Sequence, residues 1–339
     1  MADAAMAHSV HIIGCGGIAG GYDADRSPED WPLSHAGAIA RDPRFELAAC
    51  VEPDPAALGA FRDRWAVPHV AGSLDELDAN VCQYDLIVIA SPTPLHAEHL
   101  EWALAMRPKA IFCEKPLAHT FAEARRLFDK AAAQSTPLAI NYTRRWQPDL
   151  GALVGAVQEG REWGRLLGAV GTYSKGIVHN GSHMVDLAMM FAGPLNVRAV
   201  GPARFDHWDE DPTVSAILTA DNDEAAIHLV GGDCRAVTQF ELVMSYEHGE
   251  IAIRDGGLRI ETRRVKTSEV FAGYRQLGPP ESTPGRYPEA MAAAYDNLAD
   301  VIAGKAAPKW WDLHGIAAQE LCEEIRMTAL ETLSKGRTT

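Results

Sequence analysis

The stretch Val10-His11-Ile12-Ile13-Gly14-Cys15-Gly16-Gly17-Ile18-Ala19-Gly20 decides how the first half of the chain is read. A short apolar run ends in a pattern of the form G-x-G-x-x-G/A. The first glycine, Gly14, permits a tight turn. The second, Gly16, lets backbone come close to a pyrophosphate, and the small Ala19 lets a helix pack closely on the strand. The reading predicts a helix N-terminus after the turn, with its N–H groups and positive dipole end facing phosphate. Gly14, Cys15, Gly16, Gly17, Ile18 and Ala19 are therefore candidate dinucleotide-binding residues.

Working outward, apolar runs at 10–13, 45–51, 85–90, 109–113 and 137–140 alternate with helical patterns near 35–41, 55–65, 94–106 and 120–134. Leu86-Ile87-Val88-Ile89-Ala90 is apolar throughout, as a strand buried on both faces must be. Strand–helix alternation predicts a doubly wound parallel sheet of the Rossmann type. An acidic residue belongs at the end of the second strand, and Glu52 stands there. Its distance from Gly16 is long for this motif, and the polar, proline-bearing segment 22–34 reads as an inserted loop. A carboxylate here accepts both ribose hydroxyls and repels a 2′-phosphate, so the reading favours NAD over NADP.

Beyond residue 142 the pattern changes. Segments 165–175, 195–203, 213–220, 224–231, 236–244, 248–253 and 257–265 read as strands. Asp221-Asn222-Asp223 and Asp255-Gly256-Gly257 read as hairpin turns. Helical patterns lie at 148–159, 181–192, 288–303 and 315–333, and the Gly- and Pro-rich segment 273–288 reads as a surface loop. The expected division is a dinucleotide-binding domain over 1–142 and an α+β domain over 143–339. The second carries a large, mainly antiparallel, open-faced sheet for substrate binding and oligomerisation, and the last helices are free to pack back on the first.

Composition narrows the function. The chain has 339 residues, a hydrophobic fraction of 47% and a formal net charge of −15. That apolar fraction suits two folded domains. The negative balance argues against nucleic acid as a partner. Cys15, Cys50, Cys82, Cys113, Cys234 and Cys322 form no C-x-x-C pair and mostly sit in apolar runs, a reduced, cytoplasmic pattern. No segment reads as a membrane span or a signal peptide.

Two further segments sharpen the reading: Ala90-Ser91-Pro92-Thr93-Pro94-Leu95-His96 and Glu114-Lys115-Pro116. With the glycine turn they resemble the glucose–fructose oxidoreductase, inositol dehydrogenase and rhizopine-catabolism family (Gfo/Idh/MocA). The resemblance continues through Arg144-Arg145-Trp146-Gln147-Pro148, Gly181-Ser182-His183-Met184-Val185-Asp186 and Trp311-Asp312-Leu313-His314-Gly315. It implies an NAD(P)-dependent oxidoreductase acting on a secondary alcohol, or the matching ketone, of a sugar, sugar derivative or cyclitol. It places Ser91, Pro92, Thr93, His96, Glu114 and Lys115 at the cofactor. Lys115 falls at the carboxyl end of a parallel strand, where ligands of such sheets bind, and an ammonium there stabilises charge on a reacting oxygen. The resemblance assigns Lys115 to catalysis and His183 to acid–base work. It also implies a homodimer or homotetramer formed through the open sheet face.

The chain departs from the family at one position. An aspartate often stands four residues before the acid–base histidine, and here that residue is His179. Three readings stay open: His179 binds substrate, His179 is itself the acid–base group, or catalysis is lost and the chain is a cofactor-binding regulator. A reductase of a non-sugar carbonyl is a further alternative. The resemblance places Arg144, Arg145, Lys175, His179, Asn180 and His183 around the substrate, alongside Lys115. That cationic set leaves room for an anionic group, as in a phosphorylated or nucleotide-linked sugar. No third ligand accompanies His179 and His183, so no metal is expected.

Overall fold

Six short strands, hydrogen-bonded only to parallel neighbours, build the first sheet. The structure is a computed structural model that describes residues 7–77, 84–220, 225–306 and 314–336. Cys82, the turn at 221–223 and the segment 311–313 lie outside the described residues. In chain order the first elements are β1 (His8–Ile13), α1 (His35–Arg41), β2 (Phe45–Val51), α2 (Pro55–Trp65), β3 (His69–Ala71) and β4 (Leu86–Ile89). Then follow α3 (His96–Ala105), β5 (Ala110–Glu114), α4 (Phe121–Ala133) and β6 (Leu138–Asn141). The strand order is β3-β2-β1-β4-β5-β6. It reverses direction between β1 and β4, which opens a crevice at their carboxyl ends.

Local chemistry explains the boundaries. Asp54 caps α2 by accepting from the Ala56 N–H, and Pro55 occupies its first turn. Thr120 accepts from the Glu123 N–H and its hydroxyl donates to the Glu123 carboxylate at 2.9 Å, closing a capping box on α4. All four residues of β4 are buried, as an apolar run between two layers of helices requires. One strand carries no apolar signature in the sequence: β3 has three residues, with His69 and Val70 exposed at the sheet edge.

The later elements are α5 (Pro148–Gln158), β7 (Leu166–Tyr173), α6 (Ser182–Ala192), β8 (Leu195–Arg204), β9 (Thr213–Ala220), β10 (Ala226–Gly231) and β11 (Phe240–Tyr246). After them come β12 (Gly249–Arg254), β13 (Arg259–Thr267), β14 (Arg275–Leu277), β15 (Glu281–Pro284), α7 (Ala290–Ile302) and α8 (His314–Gly336). These strands form a nine-stranded sheet in the order β14-β13-β12-β11-β7-β10-β9-β8, with β15 against β13. Among the described residues only β7 and β10 of this sheet pair in parallel. Met184 of α6 packs over Gly171 of β7 on one face. Val170 and Val230 are exposed on the other, and the register sets Val170 beside His228 and Val243. Segment 273–288 is not wholly the loop that its glycines and prolines predict. Its polar, exposed β14 and β15 pair along β13, where no apolar alternation marks them.

The chain divides into two compact units, residues 1–146 with 288–316 and residues 147–287 with 317–339. In the first, α7 brings Tyr295 into edge-on contact with Phe45 and Phe112, with centroids 5.3 Å and 6.0 Å away, and Phe112 meets Trp146 in the same way. Among the described residues no helix is long and apolar enough to cross a membrane.

His11 on β1 is 1% exposed, and its ring lies 4.5 Å from that of Tyr84. Burial lowers its pKa to about 4. A histidine held neutral in the fold but charged when unfolded stabilises the protein fully above its unfolded pKa, and that contribution is lost as pH falls toward the folded value. We expect stability to fall by about 1.4 kcal/mol per pH unit through this group between roughly pH 6.5 and pH 4. Urea unfolding of wild type and His11→Leu across that range checks this; equal slopes would contradict it.

Candidate active site

At the β1–β4 crevice the backbone crosses at close quarters. Gly14 has φ +94°, and a Cβ there would lie 2.7 Å from the Ser91 nitrogen, so no other residue fits. Gly16 differs: a Cβ on it would meet nothing within 4 Å, which leaves its backbone open to a ligand. Glu52, one residue past β2, accepts from the Cys15 N–H at 2.9 Å and from the Asp54 N–H at 3.1 Å. Its carboxylate is thereby fixed beside the glycine turn, with lone pairs remaining. Together Gly14, Gly16, Glu52, Ser91, Leu95 and Trp102 line part of a cleft of about 760 Å³. No lysine or arginine is among its described lining residues. The open backbone at Gly16 and the fixed carboxylate, which repels a 2′-phosphate, suit a dinucleotide without one. The Cys15 thiol, hydrogen-bonded to Cys50, partly buried and beside Glu52, is pushed up strongly and stays protonated.

One expectation fails here. No α-helix starts at the glycine turn. Gly20 and Gly21 donate to the Gly16 carbonyl, a single turn follows at Gly21–Asp23, and α1 begins only at His35. The inserted segment takes the helix's place. Asp23 ties it down, accepting from the N–H groups of Leu33 and Ser34 at 2.9 Å and 2.8 Å and from the Ser34 hydroxyl at 2.6 Å. The turn therefore offers a ligand loop N–H groups rather than a long helix dipole.

The Glu114-Lys115-Pro116 segment leaves the end of β5, and the Lys115–Pro116 bond is cis. Glu114 Oε1 accepts from His35 Nε2 at 3.1 Å and from Asn141 Nδ2 at 2.6 Å. A carboxylate only accepts, so His35 carries its hydrogen on Nε2, and in the neutral ring Nδ1 accepts from the Tyr295 hydroxyl at 3.1 Å. Burial alone would raise the Glu114 pKa. The His35 and Asn141 hydrogen bonds and the Lys115 ammonium outweigh it and hold the group below the usual carboxylate range. The family resemblance puts His96 at the cofactor. It is instead 1% exposed, and its nitrogens lie 2.7 Å from the carbonyls of Pro116 and Ser91. Its ring braces the loops after β4 and β5 against each other. Pro92 and Thr93, by contrast, sit at and near the surface, at the start of a short turn leading into α3.

In the second unit a wide helical turn, Gly176–Gly181, leads into α6. Gly176 has φ +81°, and a Cβ on it would lie 2.1 Å from Asp211 Oδ2. Asp211 is 1% exposed and accepts from the N–H groups of Val178 and His179 at 3.0 Å and 2.9 Å and from His179 Nδ1 at 2.8 Å. The His179 ring also stacks on Trp208, with centroids 4.3 Å apart and planes at 17°. The carboxylate that the sequence lacks at position 179 thus stands 2.8 Å from the ring of that residue, at Asp211. It comes from a loop 32 residues away, where no local spacing announces it. Asn180 donates to the Ser174 carbonyl at 2.8 Å, so its amide shapes the turn. His183 is half-buried on α6, between the buried Ser182 and Met184.

The expected cationic set is reduced. Arg145 is 2% exposed, with its guanidinium 5.7 Å from the Tyr142 ring centre, and is part of the first unit's interior. Arg144 and Lys175 are half-buried. Lys175 adopts the left-handed conformation, φ 69°, and its N–H donates to Asp206.

Residues 9–142 match the model of the Gfo/Idh/MocA family, described as "Oxidoreductase family, NAD-binding Rossmann fold". An inositol 2-dehydrogenase of Rhizobium meliloti is 25% identical over 312 residues, 85% of this chain and 91% of that protein. An uncharacterized oxidoreductase of Schizosaccharomyces pombe is 32% identical over 177 residues, and the match spans about half of each protein, 46% of this chain and 47% of the relative. The crystal structure of the WlbA dehydrogenase from Bordetella pertussis, in complex with NADH and UDP-GlcNAcA, superposes with a TM-score of 0.76. It covers 97% of both chains at 18% identity, a likeness of fold.

The Glu114 network makes a stability prediction. His35→Ala leaves a buried carboxylate short of a donor, and we expect a loss of about 3 kcal/mol at pH 7. Because the folded pKa is depressed, Glu114's contribution is complete above the unfolded carboxylate pKa and disappears as pH falls through the folded one. The penalty of His35→Ala should therefore shrink in acid. Denaturant titrations of both proteins at pH 7 and pH 3.5 test it, and a pH-independent penalty would count against a charged Glu114 held by His35.

Proposed function

We propose, from the premise that residues 9–142 are a Rossmann domain of the Gfo/Idh/MocA oxidoreductase family, that this chain interconverts a secondary alcohol and its ketone on a sugar, sugar derivative or cyclitol, with NAD preferred to NADP. The observation that carries the reading is the Glu52 carboxylate held against the glycine turn, at the same sheet edge where β5 delivers Glu114 and Lys115. The match to an inositol 2-dehydrogenase over most of both chains supports a polyhydroxylated substrate. Bound in the cleft, a nicotinamide supplies the hydride chemistry.

The chain's own residues do the rest. Glu52 receives ribose hydroxyls and excludes a 2′-phosphate. Glu114 stays anionic and keeps a negative charge next to the Lys115 ammonium. Lys115 donates to the reacting oxygen and steadies charge that develops on it. A histidine of the 179–183 segment takes the hydroxyl proton. Arg144 and Lys175 contact the remaining substrate hydroxyls or an anionic substituent. Two or four copies assemble through the sheet face that carries Val170 and Val230. The rival reading, a cofactor-binding regulator without turnover, keeps the Glu52 function and dispenses with Lys115.

Two outcomes test this. NAD should bind more tightly than NADP in a fluorescence titration, and Glu52→Ser should narrow the gap; equal affinities in the native protein would remove the ribose role. With NAD and a panel of sugars and cyclitols, the native protein should produce NADH. Lys115→Ala should lower kcat by about 10²–10⁴-fold while leaving NAD affinity near native. A Lys115→Ala protein of native activity would defeat the catalytic assignment, and a native protein that binds NAD but turns over no member of the panel would favour the regulator.

A further inference from the structure

A separate cavity, of about 250 Å³, lies in the first unit among the inserted segment and the last turns of α1 and α2. It shares no described lining residue with the cleft at the glycine turn. We propose that this cavity binds a small organic monocarboxylate with an apolar body, its carboxylate drawn in by Arg26, Arg41 and Arg64. The proposal goes beyond the oxidoreductase reading and does not depend on it.

Three observations converge on it. The first is charge. On a chain of net −15, the described lining sets three guanidinium groups against two carboxylates, Asp23 and Asp30. Asp23 is already committed to the N–H groups of Leu33 and Ser34 and to the Ser34 hydroxyl. Among the described residues, Arg41 and Arg64 donate across to backbone carbonyls of the inserted segment and not to carboxylates. Arg41 reaches Asp30 at 3.4 Å, and Arg64 reaches Ala24 at 2.6 Å and Asp23 at 3.2 Å. Arg26 stands 3.4 Å from Asp23 and 3.8 Å from Asp30, and its Nε is buried without a hydrogen-bond partner. A guanidinium carries more donors than these contacts use. The second is rigidity. Arg41 lies over the Trp31 ring at 4.3 Å and Arg64 over the Trp65 ring at 4.5 Å. Stacking on an indole holds the guanidinium plane and leaves its N–H edge to meet a carboxylate.

The third is the wall. Pro28, Pro32, Ala40, Trp65 and Ala66 give the cavity apolar sides. Sites for small molecules combine such sides with a few placed polar groups, and a bare inorganic ion would leave these sides without a partner. The charge balance then selects the head group. The lining carries a surplus of one positive charge, and the carbonyl ends of α1 and α2 add partial negative charge. One carboxylate matches that surplus, whereas a phosphate dianion exceeds it.

Benzoate is the probe, and benzyl alcohol is its uncharged counterpart. Calorimetric titration of the full chain, with and without NAD, should show saturable benzoate binding in the low-millimolar range or tighter. Benzyl alcohol should bind at least about tenfold more weakly, and Arg41→Gln and Arg64→Gln should each weaken benzoate about tenfold. Arg64 also ties α2 to the inserted segment, so Arg64→Gln risks loosening the fold. Arg41 makes one long hydrogen bond, and Arg41→Gln carries the test if the other variant unfolds. In indole ¹H–¹⁵N spectra, benzoate should shift the Trp65 resonance, assigned with Trp65→Phe, and leave that of Trp102 in the dinucleotide cleft unmoved. A protein that fails to bind NAD leaves all of these readings intact, so the two proposals fail separately. Absence of saturable binding, equal binding of benzyl alcohol, or tighter binding of inorganic phosphate would each overturn the proposal. So would native affinity in Arg41→Gln, or competition with NAD accompanied by a Trp102 shift.

Discussion

A largely buried carboxylate at the end of β5 obliges several elements to converge. Glu114 is charged in a place where charge is costly, and its partners come from far apart in the chain: His35 on α1 and Asn141 on β6, with Tyr295 on α7 behind His35. Each partner therefore has a fixed rotation and depth. The requirement also accounts for α7. The helix follows the whole second sheet in the chain, yet it belongs to the first unit. Its tyrosine completes both the hydrogen-bond chain to Glu114 and the aromatic cluster with Phe45 and Phe112. Lys115 inherits this rigidity, since it is the next residue after the anchored carboxylate.

The turn after β1 is bound by the same network. The close crossing of Gly14 and Ser91 sets where the chain can go, and the segment that follows has no uninterrupted helical pattern to offer. Pro28 and Pro32 prevent one. Asp23 solves the problem by gathering the donors at 33 and 34, which delivers Ser34 as the cap of α1 and His35 into the interior. The insertion thus removes the helix dipole from the turn but preserves the geometry that the Glu114 network needs.

How much of this is legible along the chain follows from the kind of signal each feature leaves. β2, β4, β5 and β6 are apolar runs between helical patterns, and their positions can be read almost to the residue. β3, β14 and β15 are short and exposed, so pairing defines them and composition does not. Glu52 and Lys115 stand out because each follows a strand end. His96 and Arg145 mislead because a polar side chain in a motif looks the same whether it meets a ligand or the protein's own interior. Only the carbonyls of Ser91 and Pro116, brought together from two separate loops, reveal what His96 does.

Asp211 is the clearest case of chemistry that spacing hides. Read along the chain, histidine at 179 removes a charge from the site. Read in space, the charge has moved one layer back. A carboxylate at position 179 would present its own oxygens outward. An imidazole hydrogen-bonded to Asp211 puts a ring in that place and keeps the carboxylate 1% exposed behind it. Local spacing therefore reads as the loss of a carboxylate, whereas the folded chain holds one 2.8 Å from the ring, contributed by a loop that no motif connects to position 179.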